Sequence, residues 1–221
     1  MSPDVPEPEA GLADAFRELG SATLGESGGR PFPPRVRAAW PGAVLAAPAV
    51  PVRCAPGDNL AVHVAVATAP AGAALVVDVG NVPDRGYWGE VLTTGAEARG
   101  LRGLVIDGGV RDVAALAAHG FPVFSATVAL RGATKQLPGT VGAPIEVAGV
   151  RVELGDWVVA DADGVVVVPG ASLSEVRRAG QARADKEAGF FEALRAGRTT
   201  VELLGLDTGP VAVTGLEPPA G

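Results

Sequence analysis

The chain has little of several residue types on which whole functional classes depend. Its 221 residues include one cysteine and two histidines, and aromatic residues make up 5% of it. A single cysteine, Cys54, excludes an internal disulfide framework, and so few Cys and His residues exclude a zinc site of the Cys/His-cluster type. Cys54 also lies outside any catalytic signature, so a cysteine nucleophile is not indicated.

Long apolar runs and an excess of positive charge are also missing. No run of about 18 apolar residues is available to cross a membrane as a helix. The formal net charge is −7, which argues against a nucleic-acid surface, because phosphate binding needs clustered Lys and Arg. The first residues, MSPDVPEPEAG, lack the basic and apolar regions of a signal peptide. We therefore expect a cytoplasmic protein that binds neither nucleic acid nor a membrane.

Small apolar residues are abundant and predict a core built from aliphatic side chains. Hydrophobic residues make up 48% of the chain, enough for one domain of this length. The Pro-rich start predicts a disordered tail over 1–10. A folded domain is predicted over 11–205, followed by an irregular tail, rich in Pro and Gly, over 206–221.

The pattern of strands and helices predicts a mixed α/β fold. LAVHVAVA (60–67) alternates with period two and predicts a strand, while AALVVDV (73–79) predicts a strand buried on both faces. The middle of the chain continues with a helix over 89–99, a strand over 103–107, a helix over 111–118 and a strand over 121–128. Short Val-rich strands with tight turns follow, and a long charged helix is predicted over 172–196.

Two strand-to-helix exits carry the polar residues that best suit chemistry. Glu90 opens the helix at 89–99, and Arg111 and Asp112 open the helix at 111–118. Loops at strand ends commonly carry function in α/β proteins. An arginine there can bind a carboxylate in a two-pronged salt bridge, an aspartate can hold a divalent cation, and the free N–H groups of residues 91–94 can face an anion.

A structural interpretation of the same residues stays open at this point. An acidic residue at a helix start also stabilises the helix dipole without any ligand. Asp156, Asp161 and Asp163 lie in a turn-rich stretch, where aspartate is favoured by local hydrogen bonding, and we interpret them as structural. His63 is also interpreted as structural, and no lysine lies near the strand exits.

Four segments together resemble the RraA-like family. They are PGDNL (56–60), LVVDVGN (75–81), WGEVLTTGAEARGLRGLVIDGGVRD (88–112) and GDWVVADADGVVVVP (155–169). The family includes class II 4-hydroxy-4-methyl-2-oxoglutarate / 4-carboxy-4-hydroxy-2-oxoadipate aldolases and the RraA proteins named as regulators of ribonuclease E activity. The resemblance implies a swivelling β/β/α fold in a homotrimer or hexamer.

The resemblance also implies a site and a reaction. The residues that match the family's catalytic set are Glu90, Arg111 and Asp112. Asp112 would bind Mg²⁺ or Mn²⁺, Arg111 the substrate carboxylate, and Glu90 would help to orient metal-bound water. Glu187, from a neighbouring subunit, would approach the metal through water. The amides that would hold the pyruvate moiety belong to Val91, Leu92, Thr93 and Thr94.

The implied reaction is cleavage of a small 2-oxo acid by a metal-dependent lyase. Retro-aldol cleavage would release pyruvate through a metal-stabilised enolate, with oxaloacetate decarboxylation as a side activity. The loop that contains Tyr87 and Trp88, and the loop over 129–141, are expected to contact the rest of the substrate. The alternative is a non-enzymatic, RraA-type protein that binds and regulates a ribonuclease.

Overall fold

The computed structural model describes residues 11–215. The chain divides into two compact units, Met1–Gln181 and Ala182–Gly221. The predicted tail over 1–10 lies outside the described residues, as does 216–221, the end of the predicted C-terminal tail. Residues 206–215 contain no helix or strand.

The first unit contains the strands of the described part of the chain. Their bounds are β1 (Arg30–Pro31), β2 (Arg37–Ala38), β3 (Leu45–Arg53), β4 (Ala74–Asp78), β5 (Gly86–Trp88), β6 (Gly103–Val110), β7 (Val123–Val128), β8 (Thr140–Val141), β9 (Ile145–Val147), β10 (Val150–Val152), β11 (Trp157–Ala160) and β12 (Val165–Val168).

Helices lie between and after these strands. Their bounds are α1 (Leu12–Glu26), α2 (Leu60–Thr68), α3 (Glu90–Ala98), α4 (Val113–His119), α5 (Leu173–Arg195) and α6 (Thr200–Leu204), with a short 3₁₀ turn at Gly170–Ser172. The second unit takes the later part of α5 together with α6. No helix within residues 11–215 combines the length and apolar character that crossing a bilayer demands.

The main sheet is mixed, with a parallel centre. Strands β3, β4, β6 and β7 pair in that order and in parallel, and β5 adds in parallel beside β6. Antiparallel strands complete the sheet, because β11 pairs with β3 and β12, β12 with β1, and β7 with β2. Parallel neighbours need crossover connections, and α2, α3 and α4 supply them.

Two apolar layers cover the faces of the parallel strands. One face packs on the crossover helices through residues such as Val77, Ile106 and Leu116, and the other packs on the β9–β10 hairpin and β12 through residues such as Val76 and Phe124. Near-continuous apolar strands are expected where both faces are covered. These features confirm the predicted α/β class with mixed sheets and a long C-terminal helix.

The strand predicted over 60–67 is wrong, because this segment forms helix α2. Its buried residues are Ala61, Val62, Ala65 and Val66, which lie on one helical face rather than alternating. The connection from β3 to the parallel β4 requires a crossover, so tertiary packing overrides the strand preference of the valines. His63 therefore projects from a helix.

The exit from β6 also differs from its prediction. The strand does not end at Asp107 but continues to Val110, with an irregularity in its pairing with β7 between Ile106 and Gly109. Helix α4 begins at Val113, so Arg111 and Asp112 precede the helix instead of forming its first turn. The two residues lie in the link between a buried strand and a helix.

Asp156 and Asp161 hold other parts of the chain through hydrogen bonds, as their structural interpretation predicts, and the interpretation of Asp163 stays a prediction. Asp156 accepts hydrogen bonds from the backbone N–H groups of Glu153 and Gly170 at 3.1 and 2.9 Å. Asp161 accepts from the N–H and the hydroxyl of Ser21 at 2.7 and 2.6 Å. Ser21 follows Gly20, whose non-helical backbone kinks α1, so Asp161 satisfies an N–H that this kink frees.

Candidate active site

A cavity of about 230 Å³ opens beside the ends of β5 and β6. Its wall combines the link after β6, the start of α3, the start of α2 and the loop after β7. The lining residues are Asn59, His63, Gly86, Tyr87, Trp88, Gly89, Val91, Leu92, Arg111, Asp112, Gly132, Ala133 and Lys135.

Asp112 does not cap the helix that it precedes. It is the N-cap residue of α4, yet its side chain makes no capping hydrogen bond, and its φ of 58° lies in the left-handed region. The carboxylate reaches across to α3, where Oδ2 accepts a hydrogen bond from the Glu90 N–H at 3.1 Å. The interpretation of Asp112 as a residue that stabilises only its own helix therefore loses its support, and strained backbone of this kind is typical of functional sites.

Arg111 lies beside this carboxylate at the cavity. Its Nε is 3.7 Å from Asp112 Oδ2, and both side chains are partly exposed, at 44% and 43%. Its backbone N–H donates to Trp88 O at 2.9 Å, which joins the end of β6 to β5. The guanidinium thus keeps donors for a ligand at a fixed place in the wall.

Gly89 provides the space in which Arg111 and Asp112 approach α3. A Cβ at this position would clash with Asp112 Oδ2 and would lie 3.1 Å from Arg111 Cγ. The φ of Gly89 is −167°, which any residue can adopt, so the requirement for glycine here is steric. The Gly89-Glu90 pair therefore brings a helix N-terminus into contact with an aspartate.

The helix start offers fewer amides than the sequence predicts. The Glu90 N–H is used by Asp112, and the Thr93 N–H donates to Gly89 O at 3.1 Å. Thr94 lies one turn into the helix, where the intrahelical bond uses its amide. The amides of Thr93 and Thr94 are thus used within the helix, while Val91 and Leu92 line the cavity and belong to the first turn, where N–H groups have no intrahelical acceptor. Pyruvate binding by the amides of residues 91–94 stays a prediction.

The Glu90 side chain faces a histidine rather than the cavity. Its Oε1 lies 3.5 Å from His119 Nε2, and His119 Nδ1 lies 2.8 Å from Glu97 Oε2. The hydrogen bond with Glu97, together with the nearby Glu90, raises the pKa of His119 above its ordinary 6.5. Glu90 thus contributes its N–H to the site, and its carboxylate joins a charged network between α3 and α4.

Tyr87 and Trp88 are core residues rather than exposed parts of a loop. Their exposed fractions are 0% and 1%. The Tyr87 hydroxyl donates to Val82 O at 2.6 Å, and Trp88 Nε1 donates to Thr93 Oγ1 at 2.7 Å. These buried side chains form part of the cavity wall, and the expected contact of their loop with the rest of the substrate stays a prediction.

The opposite wall contains buried polar groups, of which Asn59 was not predicted and His63 was interpreted as structural. Asn59 is 5% exposed, and its Nδ2 donates to Tyr87 O at 2.8 Å, while its Oδ1 has no hydrogen-bond partner among the described residues. His63 Nε2 is likewise buried without a partner there. Burial and the nearby Lys135 lower the pKa of His63. Assigning 60–67 to a strand concealed this wall, because a helix was needed to bring His63 to it.

Asp112 suits a hard divalent cation better than a zinc-type site. Residues 11–215 hold no cluster of three or more His, Cys, Asp or Glu side chains suited to a metal. Mg²⁺ is commonly bound through one or two carboxylates and keeps several water molecules. Both contacts of Asp112 in the described part of the chain involve Oδ2, so Oδ1 retains its capacity for a ligand, and the residue fits such an ion.

Glu187 belongs to the second unit, in α5, where its Oε1 lies 2.8 Å from Arg183 Nε. The prediction that it approaches a metal in a neighbouring subunit stays a prediction.

Comparison with known proteins assigns most of the first unit to one family. Residues 9–167 match the family model described as RraA-like, Aldolase/RraA. A relative from Halalkalibacterium halodurans, named "Putative 4-hydroxy-4-methyl-2-oxoglutarate aldolase", is 37% identical over 142 residues, which cover 64% of this chain and 68% of the relative.

Solved structures share the fold. An uncharacterized protein from Pseudomonas syringae matches with a TM-score of 0.81 and 25% identity, over 93% of this chain and 98% of that one. The Streptomyces coelicolor protein RraAS2, described as an unusual member of the RNase ES inhibitor RraA protein family, matches with a TM-score of 0.72 and 25% identity, over 87% and 99% of the two chains.

Proposed function

The chain belongs to the RraA-like family, and from that membership we propose that it is a divalent-metal-dependent lyase that releases pyruvate from a 2-oxo acid. The reaction is retro-aldol cleavage of the 4-hydroxy-4-methyl-2-oxoglutarate aldolase type, with oxaloacetate decarboxylation as a side activity. The name of the Halalkalibacterium halodurans relative supports the aldolase class.

The observation that carries the proposal is the way in which Asp112 is held. Its carboxylate turns away from its own helix, accepts the Glu90 N–H and lies beside Arg111 at the edge of a cavity. The partial positive charge at a helix N-terminus attracts an anionic group. A structural role alone does not require this arrangement.

The chain's own residues bind and orient the 2-oxo acid. Arg111 pairs with the substrate carboxylate, because a guanidinium matches it with two parallel N–H groups. The N–H groups of Val91 and Leu92 lie at the start of α3, where anionic oxygens are favoured. On the opposite wall, Asn59 and Lys135 suit the polar atoms of the departing fragment.

Cleavage requires that a proton leave the substrate hydroxyl as the carbon–carbon bond breaks. The electron pair of that bond passes to the fragment that is released as the enolate of pyruvate. A divalent cation at Asp112, when bound, supplies Lewis-acid stabilisation of that negative charge. We assign the proton transfer to Glu90, whose carboxylate is 55% exposed; this part of the proposal requires that the side chain leave His119 or act through a bridging water.

The test measures pyruvate release by the purified chain from 4-hydroxy-4-methyl-2-oxoglutarate and from oxaloacetate. The protein is first treated with a chelator, and Mg²⁺ or Mn²⁺ is then restored. We expect turnover only after restoration, at a rate above a protein-free metal blank. Full turnover in the presence of chelator, or no pyruvate from either substrate under any condition, would contradict the proposal.

A neighbouring subunit completes the site in this proposal. The assembly is a homotrimer or a hexamer, and Glu187 of one subunit approaches the metal of the next through water. Light scattering measures the mass of the assembly. Glu187→Gln should reduce turnover without altering that mass, and a monomer with full activity would remove this part of the proposal.

The second candidate is a non-enzymatic regulator that binds a ribonuclease. The likeness to Streptomyces coelicolor RraAS2 favours it, because that protein is described within an RNase ES inhibitor family. The net charge of −7 is compatible with a basic partner segment. Inhibition of a purified ribonuclease E-type enzyme, together with no lyase activity, would make this the leading function.

A further inference from the structure

The loop after β7 forms one side of the cavity and is attached at two places. Gly132, Ala133 and Lys135 line the cavity. On the β5 side, Gly86 N–H donates to Arg131 O at 2.8 Å, and Arg85 donates to Gly132 O at 3.2 Å. We call residues 131–137 the wall segment.

The second attachment is a buried aspartate. Asp58 is 1% exposed, and its Oδ2 accepts from Thr134 Oγ1 at 2.7 Å, from Gln136 N–H at 2.6 Å and from Leu137 N–H at 3.1 Å. Its Oδ1 accepts from Leu60 N–H at 2.8 Å, at the start of α2. One carboxylate therefore joins the wall segment to the helix that carries His63.

Backbone hydrogen bonds reinforce this junction but do not extend along it. Asn59 N–H donates to Thr134 O at 2.8 Å, and Thr134 N–H donates to Gly57 O at 2.9 Å. Further along the segment, the N–H groups of Gln136 and Leu137 donate to the side chain of Asp58. Asp58 does not line the cavity, whereas its neighbours Asn59 and Lys135 do.

We propose that Asp58 is a positioning residue that fastens the wall segment and thereby sets the shape of the cavity around the substrate. Burial disfavours an isolated carboxylate, but four donors compensate a charged group well. Asparagine cannot replace it, because its NH₂ would face either Leu60 N–H or the three donors of the wall segment. Loss of the hydrogen bonds between Asp58 and the wall segment should weaken substrate capture more than the chemical step. This part rests on the proposed lyase function.

The test compares Asp58→Asn with Asp156→Asn in the full chain. Asp156 is a matched control, because it is also a buried aspartate, 3% exposed, that accepts backbone N–H groups, but it lies in the turn before β11 and away from the cavity. Trypsin reports on the wall segment directly, since cleavage can occur after Arg131 and Lys135. Thr134→Val removes a single donor and provides a milder variant.

We expect Asp58→Asn to speed cleavage after Arg131 and Lys135 by about 10-fold or more, because locally opened segments are cut in proportion to their open population. Thr134→Val should give a smaller increase, and Asp156→Asn should leave these two sites at the wild-type rate. In the pyruvate assay, KM should rise by about 10-fold with kcat within about 3-fold, the pattern of lost binding.

Unchanged cleavage in both Asp58→Asn and Thr134→Val would overturn the proposal, as would equal acceleration at these sites in Asp156→Asn. A fall of about 10-fold in the kcat of Asp58→Asn without a rise in its KM would also overturn it. Absence of lyase activity in the wild-type chain would remove the proposed function alone, because the trypsin measurement does not depend on turnover and still decides the role of Asp58.

Discussion

The two sides of the cavity hold their aspartates in opposite ways. Asp112 has a side chain that is 43% exposed and a left-handed backbone, and within residues 11–215 it accepts one hydrogen bond, from Glu90 N–H. Asp58 is 1% exposed and accepts four hydrogen bonds. The first carboxylate keeps acceptor capacity for a ligand, while the second uses its capacity to hold two segments together. The difference separates a group available for chemistry from one that maintains the cavity.

The largest expected effect comes from Asp112→Asn. Asparagine tolerates the left-handed backbone, so the change removes charge with little strain. Loss of a preorganised charge at the reacting centre costs about 10²–10³-fold in kcat. The free energy of unfolding should change by less than about 1 kcal/mol, because partly exposed ion pairs contribute little. Turnover assays and urea unfolding check both expectations.

Asp14→Asn, on the exposed surface of α1, is the control for Asp112→Asn and should leave turnover unchanged. If Asp112→Asn kept full activity but lost several kcal/mol of stability, Asp112 would resemble Asp58, and the contrast between the two sides of the cavity would fail.

Gly89→Ala is expected to have the next largest effect. The added Cβ clashes with Asp112 Oδ2, so the carboxylate must leave the Glu90 N–H. A displacement of about 1 Å in a catalytic group can cost about 10²-fold in rate, and we expect a loss of about 10- to 100-fold in turnover.

The matched control for this change is Gly95→Ala in the same helix. Its Cβ meets Val66 Cγ1 at 3.5 Å, an ordinary contact, and alanine stabilises a helix interior by up to about 1 kcal/mol relative to glycine. Equal losses of activity in the two variants would show that α3 tolerates no added methyl group, and the specific contact with Asp112 would lose its importance.

Arg111→Lys is expected to weaken substrate capture. Lysine keeps the positive charge but loses the planar pair of donors that fits a carboxylate, so KM should rise by about 10-fold while kcat falls less. Steady-state kinetics separate the two constants. Arg99→Lys, at the end of α3 and outside the cavity lining, is the control. A fall in kcat alone would assign Arg111 to the chemical step instead of binding.

Much of the Asp112 side could be predicted from the sequence, because local patterns encode it. A buried strand, a Gly-Glu pair at a helix start and an adjacent Arg-Asp pair after the next strand are features of short segments. The structure places Arg111, Asp112 and the start of α3 together, as the parallel order of β5 and β6 requires. The number of free amides at the start of α3 was overestimated, because the N–H groups of Thr93 and Thr94 are already used within the helix.

The Asp58 side could not be predicted, because it depends on contacts between distant segments. Asp58 and Gln136 are 78 residues apart, and PGDN alone indicates only a turn. The period-two alternation of LAVHVAVA indicated a strand, whereas the crossover between parallel β3 and β4 imposes a helix. His63 could be placed at the cavity only once that helix was known.

The Asp58 side should respond to acid. Hydrogen bonds from Gln136, Leu60, Thr134 and Leu137 outweigh the effect of burial and lower the pKa of Asp58 from 3.8 to about 2. The stability that this carboxylate contributes is present above about pH 4 and is lost as pH falls through about 2, and a shift of this size corresponds to about 2–3 kcal/mol. Urea unfolding of wild type and Asp58→Asn should therefore differ most near neutral pH and converge in acid. A gap that widens in acid would contradict the assignment.

The smallest expected effect lies at His119 and has the opposite sign. The hydrogen bond with Glu97, and then Glu90, raises the pKa of this imidazole above 6.5, so its stabilising contribution is full below about pH 6.5 and is lost as pH rises through the higher folded value. His119→Gln should lower Tm slightly at about pH 6 and leave it nearly unchanged at about pH 9. Thermal unfolding at both pH values checks this. The charge attraction to the two carboxylates exists only in the imidazolium form. A Tm difference that grows toward pH 9 would therefore mean that the neutral imidazole, and not its charge, joins α3 to α4.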